Sequence, residues 1–395
     1  MSALDGIRVL DLSILVQGPQ AAAMLHDLGA EVIKIELPGA GDLARWIHVS
    51  ADDTRSGIFE ACNRGKRSAT LDLRQPGGKR ALERLAEHAD VLIHNFVPGT
   101  MEAWGLSYEE LAAINPALIY ATGSSFGPVG SLATREGADT IGQAWGGLIS
   151  TTGTDDGDPT PIGTLIADHS GCQNMVTGIL AALFHRERTG EGQRVDVSLL
   201  GGMIWAQASE LTHEMLGGDI LGRANRGHPL IRGLLRMIRT ADGWIQMVGV
   251  PPHLWDDFAR AIDRPDLVGD KRFATLLPQP QDLEALCQLV DEVFLTRTTQ
   301  DWSDRLAAAG QRFAPVRGHD EVINDPDAVE NGYLREVDHP EWGTIRTVGS
   351  PLRLSRTPAQ PAVVAPELGQ HTEEVLLEAG FTWDDIAALQ AEGAY

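Results

Sequence analysis

Ile7-Arg-Val-Leu-Asp-Leu-Ser13, Pro19 to Gly29, and Glu31-Val-Ile-Lys-Ile-Glu36 form the stretch on which the fold turns. The first run is apolar enough for a buried strand, the second opens on proline and closes on glycine as a helix does, and the third is another strand. A strand, a helix and a strand in that order predict a Rossmann-like parallel sheet, with ligands at the carboxyl ends of the strands. The turn after the first strand, Ile14-Leu-Val-Gln-Gly-Pro19, has one glycine where a dinucleotide fingerprint needs three. A nicotinamide enzyme is therefore excluded.

Moving outward, Ala89 to Phe96, Ala117 to Gly127 and Arg194 to Leu200 read as further strands, the second opening into a glycine-rich loop. Between the early strands lies Asn63-Arg-Gly-Lys-Arg-Ser68, followed by the strand-like Ala69-Thr-Leu-Asp-Leu73 and Arg74. Such a cluster of cations beside a strand either holds a polyanion such as a nucleotide's phosphates or is a solvated turn. Arg135 to Gly147 reads as a loop entering a tightly packed helix. Asp139, near its start, is either a supporting carboxylate or a cap.

Pro161 to Phe184 is nearly uncharged up to Asp168, after which Met175, Val176, Ile179, Leu180, Leu183 and Phe184 recur with helical spacing. Ser170 and Gln173 have the spacing of a capping box, which predicts a helix beginning there. Asp168, just ahead of that start, is either a plain cap or, held ionised by free N–H groups and the helix dipole, a nucleophile.

From about Ala224 the pattern changes to a hairpin arm at Asp242–Val248 and helices at Leu254–Ile262, Asp282–Leu295 and Asp301–Ala309. This predicts a smaller α+β domain over 224–329, between a first segment, 1–223, and a closing segment, 330–395. The formal net charge of −23 opposes binding to nucleic acid or an anionic membrane surface, so an anionic ligand needs a local basic cluster. The cysteines Cys62, Cys172 and Cys287 lack metal or disulfide spacing, and neither a signal peptide nor a membrane-length apolar run is recognisable. A cytoplasmic location is expected.

Taken in order, Leu4-Asp-Gly-Ile-Arg-Val-Leu-Asp-Leu-Ser13, Leu28-Gly-Ala-Glu-Val-Ile-Lys-Ile-Glu36, Gly41-Asp42, Asn63–Ser68, Asn95-Phe96 with Pro98-Gly99, Thr189-Gly-Glu-Gly-Gln193, Asp325-Pro326 and Leu368–Val375 make the chain resemble the family III CoA-transferases. That group includes formyl-CoA and carnitine-type CoA-transferases and the related α-methylacyl-CoA racemases. The resemblance implies an α/β fold with a Rossmann-like large domain built from both ends of the chain, a small inserted domain, and an interlocked homodimer. It also implies that Asp168, in Ala167-Asp168-His-Ser-Gly171, forms a mixed anhydride with an acyl group and then carries CoA as a thioester, with Asp139 in support.

CoA binding maps by the same resemblance onto Val16 and Gln17, onto Leu71, Asp72, Leu73 and Arg74, onto Asn95 and Phe96, and onto Gly137 and Ala138. Coenzyme A or acyl-CoA is then substrate, and no permanent cofactor or metal is expected. Gln17 replaces the alanine usual before Gly-Pro, and Val97, Pro38 and Ala103 stand where arginines are found in relatives. Arg45, Arg64, Lys66 and Arg74 are therefore the cations expected to grip CoA. Alternatives to transfer are a racemase or epimerase using Asp168 as a base, and a non-catalytic acyl-CoA binder. Inversion needs a proton carrier on each face of the α-carbon, and Ala138 stands where the racemases have a histidine.

Overall fold

The computed structural model describes residues 2–231, 233–275, 279–361 and 363–395. The chain divides into two compact units, one made of 1–147, 162–207 and 325–395, the other of 148–161 and 208–324.

The larger unit is built on six strands, β1 (Arg8–Asp11), β2 (Glu31–Glu36), β3 (Arg67–Thr70), β4 (Val91–His94), β5 (Ile119–Ser124) and β6 (Arg194–Ser198). They lie in the order β3-β2-β1-β4-β5-β6, and every pair is parallel. A parallel sheet is covered on both faces, which is why a central strand such as β4 reads as an apolar run and not as an alternating one. Successive side chains still part to opposite sides. Val9, Val32, Val91 and Ile93 pack with helix α1 (Gln17–Asp27), whereas Leu10, Ile33 and Leu92 pack with helix α2 (Pro76–Ala86). The strand order reverses between β1 and β4, so a crevice opens where the loops leaving these two strands diverge.

Helices α3 (Asp139–Trp145), α4 (Ile166–Thr189) and α5 (Leu199–Ala206) complete the parts that matter for the site. Met175, Val176 and Ile179 of α4 share the α1 side of the core. Helix α4 begins at Ile166, with Leu165 in the cap position and no side-chain cap of its own, so the Ser170–Gln173 pair lies inside the helix and does not start it. On the α2 side, the C-terminal helices Thr372–Glu378 and Trp383–Ala391 supply Val375, Leu376, Ile386 and Leu389 to the core. They tie to the edge strand through His371 N–H to Ser68 O at 2.8 Å and Thr70 N–H to Thr372 Oγ1 at 3.0 Å. Beyond that strand, Asp72 N–H donates to Ala394 O at 2.7 Å.

The smaller unit carries an antiparallel sheet of β7 (Leu235–Arg239), β8 (Trp244–Val248) and β9 (Phe313–Pro315). Its core gathers Ile238, Ile245, Trp255, Phe258, Phe294 and Trp302. Both buried indole N–H groups find a carbonyl, Trp255 that of Leu267 and Trp302 that of Phe294, each at 2.8 Å. Among the described residues no helix is long and apolar enough to cross a membrane.

Candidate active site

The first turn of α4 is capped from another helix. Asp139, 3% exposed, accepts the Ala167 N–H at 2.7 Å and the Asp168 N–H at 3.2 Å on one carboxylate oxygen. Its other oxygen accepts Gln143 Nε2 at 2.6 Å. Gln143 is itself fixed to the incoming chain, donating to Thr164 O at 3.2 Å and accepting the Ile162 N–H at 3.0 Å. A carboxylate at a helix N-terminus is favoured by the free N–H groups and the dipole. Here the one that receives them is Asp139.

Asp168 sits in that same turn, partly buried, and its carboxylate accepts no hydrogen bond among the described residues. Burial, and after it the charge of Asp139, raise its pKa to about 7. This reverses the expectation that the helix start would hold the group firmly ionised. The N–H groups that would do so are occupied, and a like charge stands beside it instead. Next to it, His169 shares a 2.6 Å bond between Nδ1 and Gln20 Oε1.

The loop after β1 is held rigid from below. Fully buried Lys34 pairs with Asp42 at 2.8 Å and donates to Ser13 O at 2.9 Å. Asp42 in turn accepts the N–H of Leu15 at 2.9 Å, and Leu15 adopts the left-handed conformation at φ 66°. That conformation costs a non-glycine residue about 1–2 kcal/mol, so it persists only where such bonds impose it. Asn95 then bridges the crevice, accepting the Ile14 N–H and donating to Ile14 O, both at 2.8 Å. Val16 follows, buried at the start of α1, and Gln17 opens the helix.

Leu71, Asp72, Leu73, Arg74 and Phe96 come together around one cavity of about 280 Å³, which Ile14 also lines. Trp104 joins them, edge-to-face with Phe96 at 5.4 Å. Arg74 stands at this cavity with its side chain 60% exposed and its guanidinium on Asp72, at 2.8 Å through Nε and through Nη2. Gly137 and Ala138 lie at the entry to α3, beside Asp139.

The other three expected cations are committed to the interior. Lys66 is fully buried and donates to Asp11 at 2.7 Å and to Pro19 O and Asn63 Oδ1 at 2.8 Å, and burial brings its pKa down to about 8. Burial alone would raise the Asp11 carboxyl, but Lys66 and Lys34 hold it below its ordinary value. Arg64 pairs with Asp27 at 2.6 Å. Arg45 forks onto Glu36 at 2.8 Å and lies over the Phe59 ring at 3.7 Å. Each of the three thus holds a carboxylate partner, and Arg45 keeps 16% of its side chain exposed. Gln143, Gln20 and Trp104 were not singled out from the sequence. For Gln143 the one signal was its spacing, four residues after Asp139 in a helix.

Comparison with known proteins agrees with this architecture. Over 391 residues, covering 98% of this chain and 97% of its relative, the sequence is 34% identical to a succinyl-CoA–D-citramalate CoA-transferase of Chloroflexus aurantiacus. It is 33% identical to a formyl-CoA:oxalate CoA-transferase of Streptomyces coelicolor, covering 99% of this chain and 98% of that one. The crystal structure of a CAIB/BAIF family protein from Brucella suis superposes with a TM-score of 0.84 at 32% identity, covering 96% of this chain and 99% of that one. The family model for CoA-transferase family III matches residues 4–372. With that match spanning nearly the whole of a parallel α/β sheet whose crevice is framed by these residues, the chain belongs to CoA-transferase family III and is a CoA-transferase.

Proposed function

We propose that Asp168 is the nucleophile of the transfer. Its carboxylate attacks the carbonyl carbon of an acyl-CoA, the C–S bond breaks, and CoA leaves as thiolate from a mixed anhydride. The thiolate then adds to Cγ of Asp168 and expels the first acid as its carboxylate, leaving CoA as an enzyme thioester. An acceptor carboxylate reverses both steps with the second acid. The observation that carries this reading is the Asp168 carboxylate itself, which is partly buried, lacks any hydrogen bond among the described residues and has a pKa raised to about 7. A carboxylate so weakly stabilised is a better nucleophile than one saturated with donors, and near neutral pH about half of it is ionised.

In this reading the nucleotide end of CoA lies in the Leu71–Arg74 cavity, where Phe96 and Trp104 suit a flat purine and Arg74 suits phosphate. The thioester end lies toward Val16, Asn95, Gly137, Ala138 and Asp168, with Asp139 fixing the turn. Arg45, Arg64 and Lys66 brace the fold beneath CoA. The acceptors in the two relatives' names are dicarboxylic acids, which makes that class the first to try. The protein works as an interlocked homodimer in the cytoplasm, its large domain built from both ends of the chain. Phe184 and Trp205, exposed on α4 and α5, support that assembly as surface for a partner to cover.

The test is to quench the enzyme with a panel of acyl-CoAs and examine the Asp168 peptide by mass spectrometry. CoA in thioester linkage at Asp168, with release of the free acid, is the expected result. Turnover of an acyl-CoA and acid pair without any adduct at Asp168 would overturn the covalent route.

A further inference from the structure

Gln17 is a polar side chain sealed into the larger unit next to the proposed nucleophile. It is 3% exposed, and its Nε2 has no hydrogen-bond partner. Its carboxamide fills a slot cut by two glycines. A Cβ on Gly123 of β5 would lie 2.1 Å from Oε1, and one on Gly171 of α4 would lie 2.4 Å from Nε2. Glycine inside a strand or a helix weakens it, and a buried N–H without an acceptor is costly. Packing alone gives no reason to accept these costs for an amide, since an apolar side chain of the same length would fill the slot without them.

The slot points toward Asp168. Gly171 is three residues further along α4, hence on the same face, where Cβ atoms stand about 5–6 Å apart. Side chains on a helix tilt toward its N-terminus, so an amide occupying the side-chain position of Gly171 is displaced toward the Asp168 turn. A donor without an acceptor thus lies against α4 at Gly171, one turn along from a carboxylate without a donor.

We infer that the Gln17 carboxamide is the donor for the oxyanion that forms on the side chain of Asp168 itself. This rests on the reading of Asp168 as nucleophile and adds a residue to it. When the CoA thiolate adds to Cγ of the mixed anhydride, its electron pair makes the new C–S bond and the carbonyl pair moves onto the Asp168 oxygen. Collapse restores the carbonyl and expels the acid as carboxylate. The same oxygen carries the charge when the acceptor acid adds to the enzyme thioester. Gln17 serves these two additions and not the opening attack on the acyl-CoA, whose oxyanion sits on the substrate.

Gln17→Met keeps the length of the side chain and removes the donor. Conversion of the wild-type enzyme to the Asp168 CoA thioester, followed by quenched-flow mass spectrometry, is expected to slow by 10- to 100-fold in the variant. The KM for acyl-CoA should stay unchanged, the melting temperature should hold or rise because the unpaired N–H is gone, and anhydride should accumulate ahead of thioester. Gln17→Ala, which also removes the donor, gives the same readout should the methionine variant fail to fold. Thioester formation at the wild-type rate in a folded variant would overturn the role of Gln17 and leave Asp168 untouched. Absence of any adduct in the wild type would overturn the nucleophile reading on which it rests.

Discussion

Asp139 and Asp168 share one helix start and have opposite environments. Asp139 collects two backbone N–H groups and a glutamine amide and is almost fully enclosed. Asp168 collects none of these and faces the charge of the other. A helix N-terminus can stabilise one anion well, and here it does so for a residue belonging to a different helix. The carboxylate that belongs to the helix is left without those donors, and the proposed role as nucleophile draws on that. The pair teaches that standing at a helix start and receiving its N–H groups are separate things.

Replacing Asp168 tests the contrast most severely. Asp168→Asn should lower steady-state CoA transfer by at least about 10³-fold with CoA binding retained, because the amide keeps the shape but cannot attack a thioester. Retention of more than a few per cent of turnover, with deamidation excluded, would erase the distinction between the two residues. Asp139→Asn leaves an oxygen to cap α4 but removes the neighbouring charge. Turnover should fall by roughly tenfold, and the midpoint of the kcat/KM profile, expected near about 7 in the wild type, should move to lower pH. A midpoint that stays in place would mean that Asp139 acts by geometry alone.

Stability gives a third and smaller contrast. The Asp168 pKa is raised above its ordinary value of 3.8 to about 7, so the folded protein holds this proton more tightly than the unfolded chain. The cost of the buried charge is therefore absent below about pH 4, grows through the interval and is complete above about pH 7. Asp168→Asn should melt higher than the wild type at pH 8, by the equivalent of about 2 kcal/mol after allowance for partial exposure, and equally at pH 4. The smallest effect is expected away from the helix. Arg74→Ala should raise KM by several-fold for all acyl-CoAs alike, because the nucleotide is common to them, and leave the acceptor preference and the kcat midpoint unchanged.

The sheet was legible because a parallel strand buried on both faces writes itself as a local apolar run, as Val91–His94 does. The start of α4 was not, because its cap is supplied by Asp139 from a distant part of the chain and leaves no mark beside Ser170. The partners of the basic stretch at Asn63–Ser68 are hidden for the same reason. A sequence displays charges without their partners, and those of Lys66 and Arg64 are Asp11 and Asp27. Arg74, whose partner Asp72 is two residues away, remains at an open cavity. Asp168 stands out as a candidate through its context, but its ionisation is not legible there, because that depends on which carboxylate takes the N–H groups.

The ties between the edge strand and the C-terminal helices also govern how the protein is made. Ser68 and Thr70 find their partners at His371 and Thr372, and Asp72 finds its own at Ala394. The part of that face beside β3 thus waits for its cover while some three hundred further residues are synthesised, although α2 already covers the rest. Closing a loop of that length is entropically slow, and the exposed apolar part is open to wrong contacts in the meantime. Maturation of the larger unit is therefore set by the arrival of its last helices, and a chain shortened before Thr372 would be a substrate for chaperones before it was an enzyme.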